Sequence, residues 1–221
     1  REAKWSVTVS VWQDKEVIEV QAGYVEDSYG AAVDIGSTTV ALYLCNLRTG
    51  EMLAAESEMN PQIVYGEDVM SRIQYAIENK DGLEKLHKAI ISTLNKLLKQ
   101  AVKSANMSLR AQVATLAPGA SAGEQSPVED GKIASGKERP RNDIKMEEIL
   151  EMVLVGNSTM HHVLLNLHPK DLGLAPFVPV IHRSMDVKAR ELGLHINPSG
   201  NVHVLPTIAS FVGADTSAMI V

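Results

Sequence analysis

Cysteine is nearly absent from this chain, which has only Cys45 among its 221 residues. A single thiol cannot form an internal disulfide, and a chain without disulfides is typical of a reducing compartment, so we predict a cytoplasmic protein. Iron–sulfur clusters are held by several cysteine thiolates. The sequence therefore excludes a cluster that is bound by one copy of this chain alone.

Positive charge, long apolar runs and aromatic side chains are also scarce. The formal net charge of -6 leaves no basic surplus for the phosphate backbone of a nucleic acid, so no nucleic-acid partner is expected. No apolar run approaches the roughly 20 residues that cross a bilayer, so no membrane partner is expected either. Because aromatic residues make up only 4% of the chain, the core must be built from aliphatic side chains.

What remains is an ordinary globular composition, with 45% hydrophobic and 22% charged residues. The length suits one large domain, or one and a half domains of common size. The chain opens without Met, at Arg1, and stops inside the apolar run 218–221. We therefore expect a piece of a longer protein.

One stretch organises the rest of the chain. In residues 31–44 an apolar run breaks and then resumes, which predicts two buried strands joined by a tight turn. The break consists of one acidic residue and a small, hydroxylated turn: Asp34, Gly36, Ser37, Thr38 and Thr39.

This turn has the chemistry of a phosphate site. Gly36 allows close backbone approach, and the hydroxyl and backbone N–H groups of the next three residues can converge on one anion. Asp34 ends the first strand as a carboxylate that could hold a hydrated divalent cation beside that anion. The alternative is a β-hairpin whose polar turn residues serve only the turn.

The flanking segments predict the surrounding elements. Alternation of valines with polar residues predicts a two-stranded hairpin within residues 1–27, which we assign to the end of a preceding domain. A third strand at 51–59 would complete a meander with the two central strands. Helical spacing then predicts a helix that opens at Asp68 and a second helix from Asp81 to about Ala101.

The second half of the chain predicts an insertion and then α/β units. Residues from about 103 to 145 have few large apolar groups and no periodicity, so we expect a largely disordered surface insertion. Met146–Met152 is interpreted as the end of a helix and 153–155 as a strand; 185–192 predicts a helix and 202–206 a strand. Turns at the ends of such strands bind ligands in open α/β sheets. The candidates in two such turns are Gly156, Asn157, Ser158 and Thr159, and Gly213, Ala214 and Asp215.

Four motifs occur in order: residues 29–39; Asn-Pro-Gln, Tyr-Gly-Glu-Asp-Val and Ser-Arg within 60–72; Val-Gly-Asn-Ser-Thr-Met-His-His at 155–162; and Gly-Ala-Asp-Thr at 213–216. Together they resemble the ATP-dependent reductive activators of corrinoid proteins. The element order, a meander followed by helix, strand, helix and strand, is also similar to half of the actin, hexokinase and sugar-kinase fold.

The resemblance implies an α/β fold, an actin-like (ribonuclease H-like) half-domain over residues 28–221 in which a β-meander is followed by βαβα units. In that family ATP hydrolysis drives the return of an inactive Co(II) corrinoid protein to Co(I), and an iron–sulfur domain supplies the electron. It implies ATP and Mg²⁺ as cofactors, an iron–sulfur cluster only in a domain outside this chain, and a corrinoid protein as partner. Asp34 and Asp215 become the catalytic carboxylates, Asp34 holds Mg²⁺ through water, and the three turns bind the nucleotide.

The chain departs from the family pattern in three ways. It has no cysteine-rich domain, it ends before the expected second phosphate motif, and its insertion is longer than the usual connection. The resemblance therefore implies that this chain alone binds ATP weakly and is inactive.

Other classes stay open. An actin-like phosphotransferase, such as a sugar or acetate kinase, would aim Asp215 at an acceptor hydroxyl, and a non-catalytic module of the same fold would bind partners only. A homodimer is an open alternative as well.

The roles of two further sets of residues also have alternatives. Adjacent helical positions point about 100° apart, which disfavours one metal ion shared by His161 and His162. Arg72 pairs either with Asp68, one turn earlier, or with a phosphate or partner.

Overall fold

The computed structural model describes residues 6–116, 143–208 and 213–214. Asp215 and most of the predicted insertion lie outside these ranges.

The chain begins with a small separate sheet. Strands β1 (Val7–Trp12) and β2 (Glu16–Ala22) form an antiparallel hairpin and pair with no strand of the larger sheet in the described part of the chain. The hairpin predicted within residues 1–27 is confirmed, whereas its assignment to a preceding domain stays a prediction. An ion pair of 2.6 Å between Glu16 and Lys188 joins it to the main body.

The predicted meander is present. Strands β3 (Tyr29–Ile35), β4 (Thr39–Asn46) and β5 (Met52–Met59) pair antiparallel in order, with Ile35 opposite Val40 at the central turn. Side chains of β3 and β4 alternate between buried and more exposed positions, as a sheet with one covered face requires. The aliphatic residues of the buried face belong to the main core.

Three further strands extend the sheet beyond β3. They are β6 (Ile149–Gly156), β7 (Met185–Lys188) and β8 (Asn201–Val204), and the strand order is β5-β4-β3-β6-β8-β7. β6 runs parallel to both β3 and β8. The carboxyl ends of three adjacent strands therefore meet at one edge of the sheet, where open α/β sheets bind ligands.

Helices cover one face of the sheet. They are α1 (Val69–Glu78), α2 (Gly82–Leu116), α3 (Ser158–Leu164) and α4 (Ala189–Leu192). The long α2 packs against β4, β5, α1 and α3. Its buried side chains recur at helical spacing and form much of the core: Leu86, Ile90, Leu94, Leu97, Leu98, Ala101 and Ala105.

The prediction of a disordered insertion from about residue 103 is wrong for its first part, because α2 continues to Leu116 instead of ending near Ala101. The apolar stripe continues there with small residues, among them the fully buried Ala105, and these weaken the pattern without ending the helix. Asn106 also ties this part of α2 to residue 144, since its side chain accepts from the Ile144 N–H at 2.7 Å and donates to the Ile144 carbonyl at 3.0 Å.

Two other predicted elements differ. Met146–Glu148 is a short 3₁₀ turn and the following residues already belong to β6, so the predicted helix end at Met146–Met152 is wrong. Residues 185–188 form an edge strand, and only 189–192 are helical before Gly193 ends the helix with a φ of 74°. No helix in the described ranges is long and apolar enough to cross a membrane.

The buried face of α2 predicts the effect of shortening one of its core side chains. Leu97 is 0% exposed, so Leu97→Ala should lower the free energy of unfolding by about 2–5 kcal/mol through lost burial and the cavity left behind. Gln100→Ala, at an exposed position of the same helix, should stay within about 0.5 kcal/mol. Chemical denaturation measures both, and equal effects would contradict the core assignment.

Candidate functional site

The three predicted ligand turns meet at the carboxyl edge of the sheet, and their glycines make the contact. Ile35 and Gly156 are paired at the ends of β3 and β6. A Cβ on Gly156 would lie 2.8 Å from the Ile35 carbonyl oxygen. A Cβ on Gly213 would lie 2.3 Å from the Asn157 Cα and 2.4 Å from the Gly156 oxygen. Only glycine permits backbones this close, so the chain packs its three turns without side chains between them.

The first turn is closed by its own backbone. The Gly36 N–H donates to the Thr39 carbonyl at 2.9 Å, and a Cβ at position 36 would lie 2.6 Å from that oxygen. Thr38 and Thr39 are exposed and Ser37 is half-buried. The hydroxyl groups of this turn therefore stand at the surface, where a ligand can reach them.

Asp34 lies just before this turn, on the opposite face of β3 from the core residues. Its side chain is exposed, and its neighbours in the sheet are Ala41 on β4 and Val155 on β6. An exposed carboxylate at the carboxyl end of a parallel strand is placed to meet a hydrated cation.

The carbonyl groups of the first turn are held from behind. The Asn60 side-chain amide donates to the Gly36 carbonyl at 2.8 Å, and the Asn60 N–H donates to the Thr38 carbonyl at 2.8 Å. Arg72 Nη2 donates to the Ser37 carbonyl at 2.5 Å. Three consecutive peptide groups of the turn thus have fixed orientations.

Arg72 is a fully buried cation at 0% exposure. Its Nε donates to the Gly66 carbonyl at 2.9 Å, and its Nη1 lies 3.5 Å from Gln62 Oε1 and 3.6 Å from Met160 Sδ. Burial lowers the pKa of the guanidinium, and the nearby charge of Asp68 acts in the opposite direction. The guanidinium therefore links the first turn to α1, to residue 62 and to the start of α3.

Asp68 caps the start of α1 and does not pair closely with Arg72. Its carboxylate accepts the Ser71 N–H at 2.8 Å, and the Asp68 N–H donates to Ser71 Oγ at 3.1 Å, so the two form a capping box at the start of α1. The Ser71 hydrogen bonds lower the pKa of Asp68. Of the two alternatives for Arg72, the close contact is with the candidate phosphate turn, not with Asp68.

The second turn leads into α3. Asn157 caps this helix, since its side-chain oxygen accepts the Met160 N–H at 3.0 Å. Ser158 and Thr159 are 2% and 1% exposed, so their side chains are less open than those of Thr38 and Thr39. A cleft of about 170 Å³ lies between the starts of α3 and α1, lined by Val69, Met70, Asn157, Ser158 and Thr159.

The histidine pair of α3 is buried. His162 Nε2 accepts the Val180 N–H at 2.9 Å and Nδ1 lies 2.7 Å from the Ser158 carbonyl, so both ring nitrogens are used and none is open to a metal. Both ring nitrogens of His161 lack a hydrogen-bond partner among the described residues. Burial, together with the adjacent His162, lowers the pKa of His161 to about 4, and burial also lowers the pKa of His162.

Sequence reasoning missed the anchoring roles of Asn60 and Arg72. One signal was present: Arg72 lies in the same helical stripe as Ile73 and Ala76, both of which are buried. By contrast Ile77, one turn after Ile73 in the same helix, is 44% exposed. Gly213 and Ala214 are buried at the edge, and the position of Asp215 lies outside the described residues.

These features define the class of fold: an α/β half-domain of the actin type, as predicted. A solved structure, titled "Reductive activator for corrinoid,iron-sulfur protein", matches with a TM-score of 0.76 and 31% identity, and covers 100% of this chain and 30% of that chain.

Sequence comparison is more specific. The family described as "RACo middle region" matches residues 29–121 and 136–221, and the chain belongs to this family. A curated relative, "Corrinoid activation enzyme RamQ" of Eubacterium limosum, is 35% identical over 192 residues, which are 87% of this chain and 26% of the relative. The chain thus spans about a quarter to a third of the length of these relatives.

Arg72 should be necessary for the fold around the first turn. Arg72→Met leaves buried carbonyl groups without their donor, and hydrogen bonds to charged groups contribute about 1.5–3 kcal/mol each, so we expect a loss of at least about 3 kcal/mol in unfolding free energy. Arg48→Met is the matched control, because the Arg48 side chain is 47% exposed and its ion pairs with Glu26 and Asp27, at 3.2 and 3.8 Å, are worth about 0–1 kcal/mol. Urea denaturation decides, and equal losses would overturn the anchoring role.

His161 predicts a pH dependence of stability. Burial lowers its pKa from 6.5 to about 4 in the folded state, so the folded protein holds the neutral imidazole and the unfolded chain binds a proton more readily. The free energy of unfolding is therefore unaffected by the titration of this histidine above pH 6.5 and falls as the pH decreases from 6.5 toward 4. The slope should approach about 1.4 kcal/mol per pH unit for each buried histidine that must be charged on unfolding.

The test compares three variants across this pH range. His161→Leu should flatten the profile without an unpaired polar group, whereas His162→Leu should cost about 1–3 kcal/mol at pH 7 because Val180 loses its acceptor. His182→Leu, at an exposed position, should leave the profile as it is. An unchanged profile in His161→Leu would refute the assignment.

Proposed function

We propose that this chain is the nucleotide-binding part of an ATP-dependent activase that returns an inactive Co(II) corrinoid protein to the Co(I) state. The observation that carries the proposal is the Gly36–Thr39 turn, whose carbonyls are held from behind by Asn60 and Arg72. The two relatives, whose names describe corrinoid activation, support the choice of substrate.

The turn suits the phosphates of ATP. With the carbonyl oxygens of residues 36–38 occupied on the protein side, fewer acceptors repel an anion on the open side. The hydroxyls of Ser37, Thr38 and Thr39 are available there as donors. The positive charge of Arg72, one hydrogen bond behind Ser37, adds a favourable field at the same place.

The other two turns complete the proposed nucleotide site. Gly36, Gly156 and Gly213 let the turns pack closely at the sheet edge, because a Cβ at each position would lie 2.6, 2.8 or 2.3 Å from the backbone of a neighbouring residue. We assign Asn157, Ser158 and Thr159 to the second turn, and Ala214 and Asp215 to the third. The buried hydroxyls of Ser158 and Thr159 favour a role in shaping the second turn, and its backbone would contact the ligand.

Mg²⁺ fits this donor set. No group of three or more His, Cys, Asp or Glu side chains that could hold a metal occurs in the described part of the chain. Proteins usually bind Mg²⁺ through one or two carboxylates, and waters and substrate phosphates fill the other positions. One exposed carboxylate, Asp34, beside a phosphate turn meets this requirement, and Asp215 would serve as a second catalytic carboxylate.

Hydrolysis of ATP supplies the driving force, and the electron comes from an iron–sulfur domain, since the single Cys45 cannot hold a cluster. The residues of this chain would bind the phosphates, orient them at the sheet edge and position the cation. A cytoplasmic location, a boundary near residue 27 and a corrinoid protein as partner belong to the same proposal.

Asp34 gives the direct test. In the full-length protein Asp34→Asn should lower Mg²⁺-dependent ATP hydrolysis by roughly 10²-fold or more, because the cation loses its charged anchor. Asp14→Asn, in the exposed turn of the β1–β2 hairpin, is the matched control and should keep full activity. Thermal melting checks that both variants stay folded.

The activity measured decides between classes. The proposal requires reduction of a Co(II) corrinoid protein that depends on ATP and on an electron donor, followed by visible spectroscopy. Wild-type ATP turnover in Asp34→Asn would remove Asp34 from the site. Transfer of phosphate to an added sugar or to acetate would assign the chain to the phosphotransferases.

A further inference from the structure

The exposed basic side chains of α2 lie on one face. We call this set the basic stripe: Lys85, Lys88, Lys96, Lys99, Lys103 and Arg110. At about 100° per residue the six positions fall within a sector of roughly 80°, on the side away from the buried Leu94 and Leu97. At about 1.5 Å per residue the stripe is roughly 37 Å long.

The basic stripe is positively charged, whereas the chain as a whole is negatively charged. Glu84 is the single acidic residue within α2, whereas the complete chain has a net charge of -6. Solvated helix faces usually intersperse both signs, which favours solubility without a strong local field. A row of one sign in an acidic protein offers a complementary field to a partner of negative charge.

Carboxylates of the same chain pair with four of the six cations in the stripe. Lys85 and Lys88 pair with acids one turn earlier at 2.9 and 2.5 Å, Lys96 pairs with Glu58 at 2.5 Å, and Arg110 pairs with Asp143. In the part of the chain that the structure describes, Lys99 and Lys103 make no ion pair. Exposed pairs are worth only about 0–1 kcal/mol, so a partner's carboxylates can replace those that pair with the stripe.

A preformed groove lies beside the stripe. It has a volume of about 700 Å³ and includes Lys88, Lys96 and Lys99, with His87 and His195 at its border and Ile91 and Leu192 among its apolar lining. Asn95 fixes the far wall, since its side chain donates to the Gly193 carbonyl at 2.9 Å and accepts the His195 N–H at 2.8 Å. A segment that binds here meets a wall that is already ordered.

We propose that the basic stripe and this groove bind an acidic segment of a protein partner. A helix or extended segment with several carboxylates along one side matches the length and the sign of the stripe. Five of the six cations are lysines, whereas arginine is the usual choice for phosphate and nucleic-acid recognition. The net charge of -6 also repels a polyanion as long as a nucleic acid.

The test is a binding measurement with this chain and fluorescently labelled, short poly-L-glutamate at low ionic strength. Lys99→Glu with Lys103→Glu reverses the two unpaired charges, and the fluorescence anisotropy should show at least about tenfold weaker binding. Lys15→Glu with Lys170→Glu changes the net charge equally on other exposed surfaces and should bind as the wild type does. Added salt should weaken wild-type binding.

Three results would overturn the proposal. Equal losses in the two double variants would mean that net charge, and not the stripe, attracts the peptide. Tighter binding of a labelled DNA duplex than of poly-L-glutamate would assign the stripe to nucleic acid. Absence of poly-L-glutamate binding at low salt would mean a solvated face, and circular dichroism of the variants excludes unfolding as the cause of any loss.

Discussion

The candidate site depends on one buried guanidinium. Arg72 is fully enclosed and donates to the Ser37 carbonyl at 2.5 Å and to the Gly66 carbonyl at 2.9 Å. A buried charge is costly unless its donors are used, so the surrounding backbone must keep its acceptors in place around the guanidinium. The same contact fixes the turn, the loop before α1 and, through Met160, the start of α3.

The rest of the architecture places this contact at the edge of the sheet. The parallel pairs of β3 with β6 and of β6 with β8 direct three strands toward one edge, and glycines let the following turns touch. The long α2 packs against β4, β5, α1 and α3 and, on its outer side, presents a row of cations. The nucleotide proposal and the proposed docking surface therefore use different parts of the same half-domain.

Many of the strands and helices could be predicted from the sequence, because the pattern of apolar and turn residues in a segment depends on the local backbone geometry of that segment. The interrupted apolar run predicted the two central strands of the meander, and the Gly-containing break in it is the tight turn between β3 and β4. Helical spacing correctly placed the start of α1 at Asp68, and the structure adds that Asp68 caps this helix. The length of α2 was missed because alanines such as Ala105 weaken the apolar signal, although they pack as well as larger side chains where the space is small.

By itself the sequence determined the α/β class, the β3–β5 meander and the family, since periodicity and motif spacing are properties of neighbouring residues, but it did not reveal the edge strand β7. Tertiary structure decided what Asn60 and Arg72 do, because a polar side chain in a helix or turn can face water or a buried carbonyl. For Asn60 and Arg72 the choice depends on hydrogen-bond partners that lie 24 to 100 positions away in the chain. Only the folded chain brings those partners within hydrogen-bond distance.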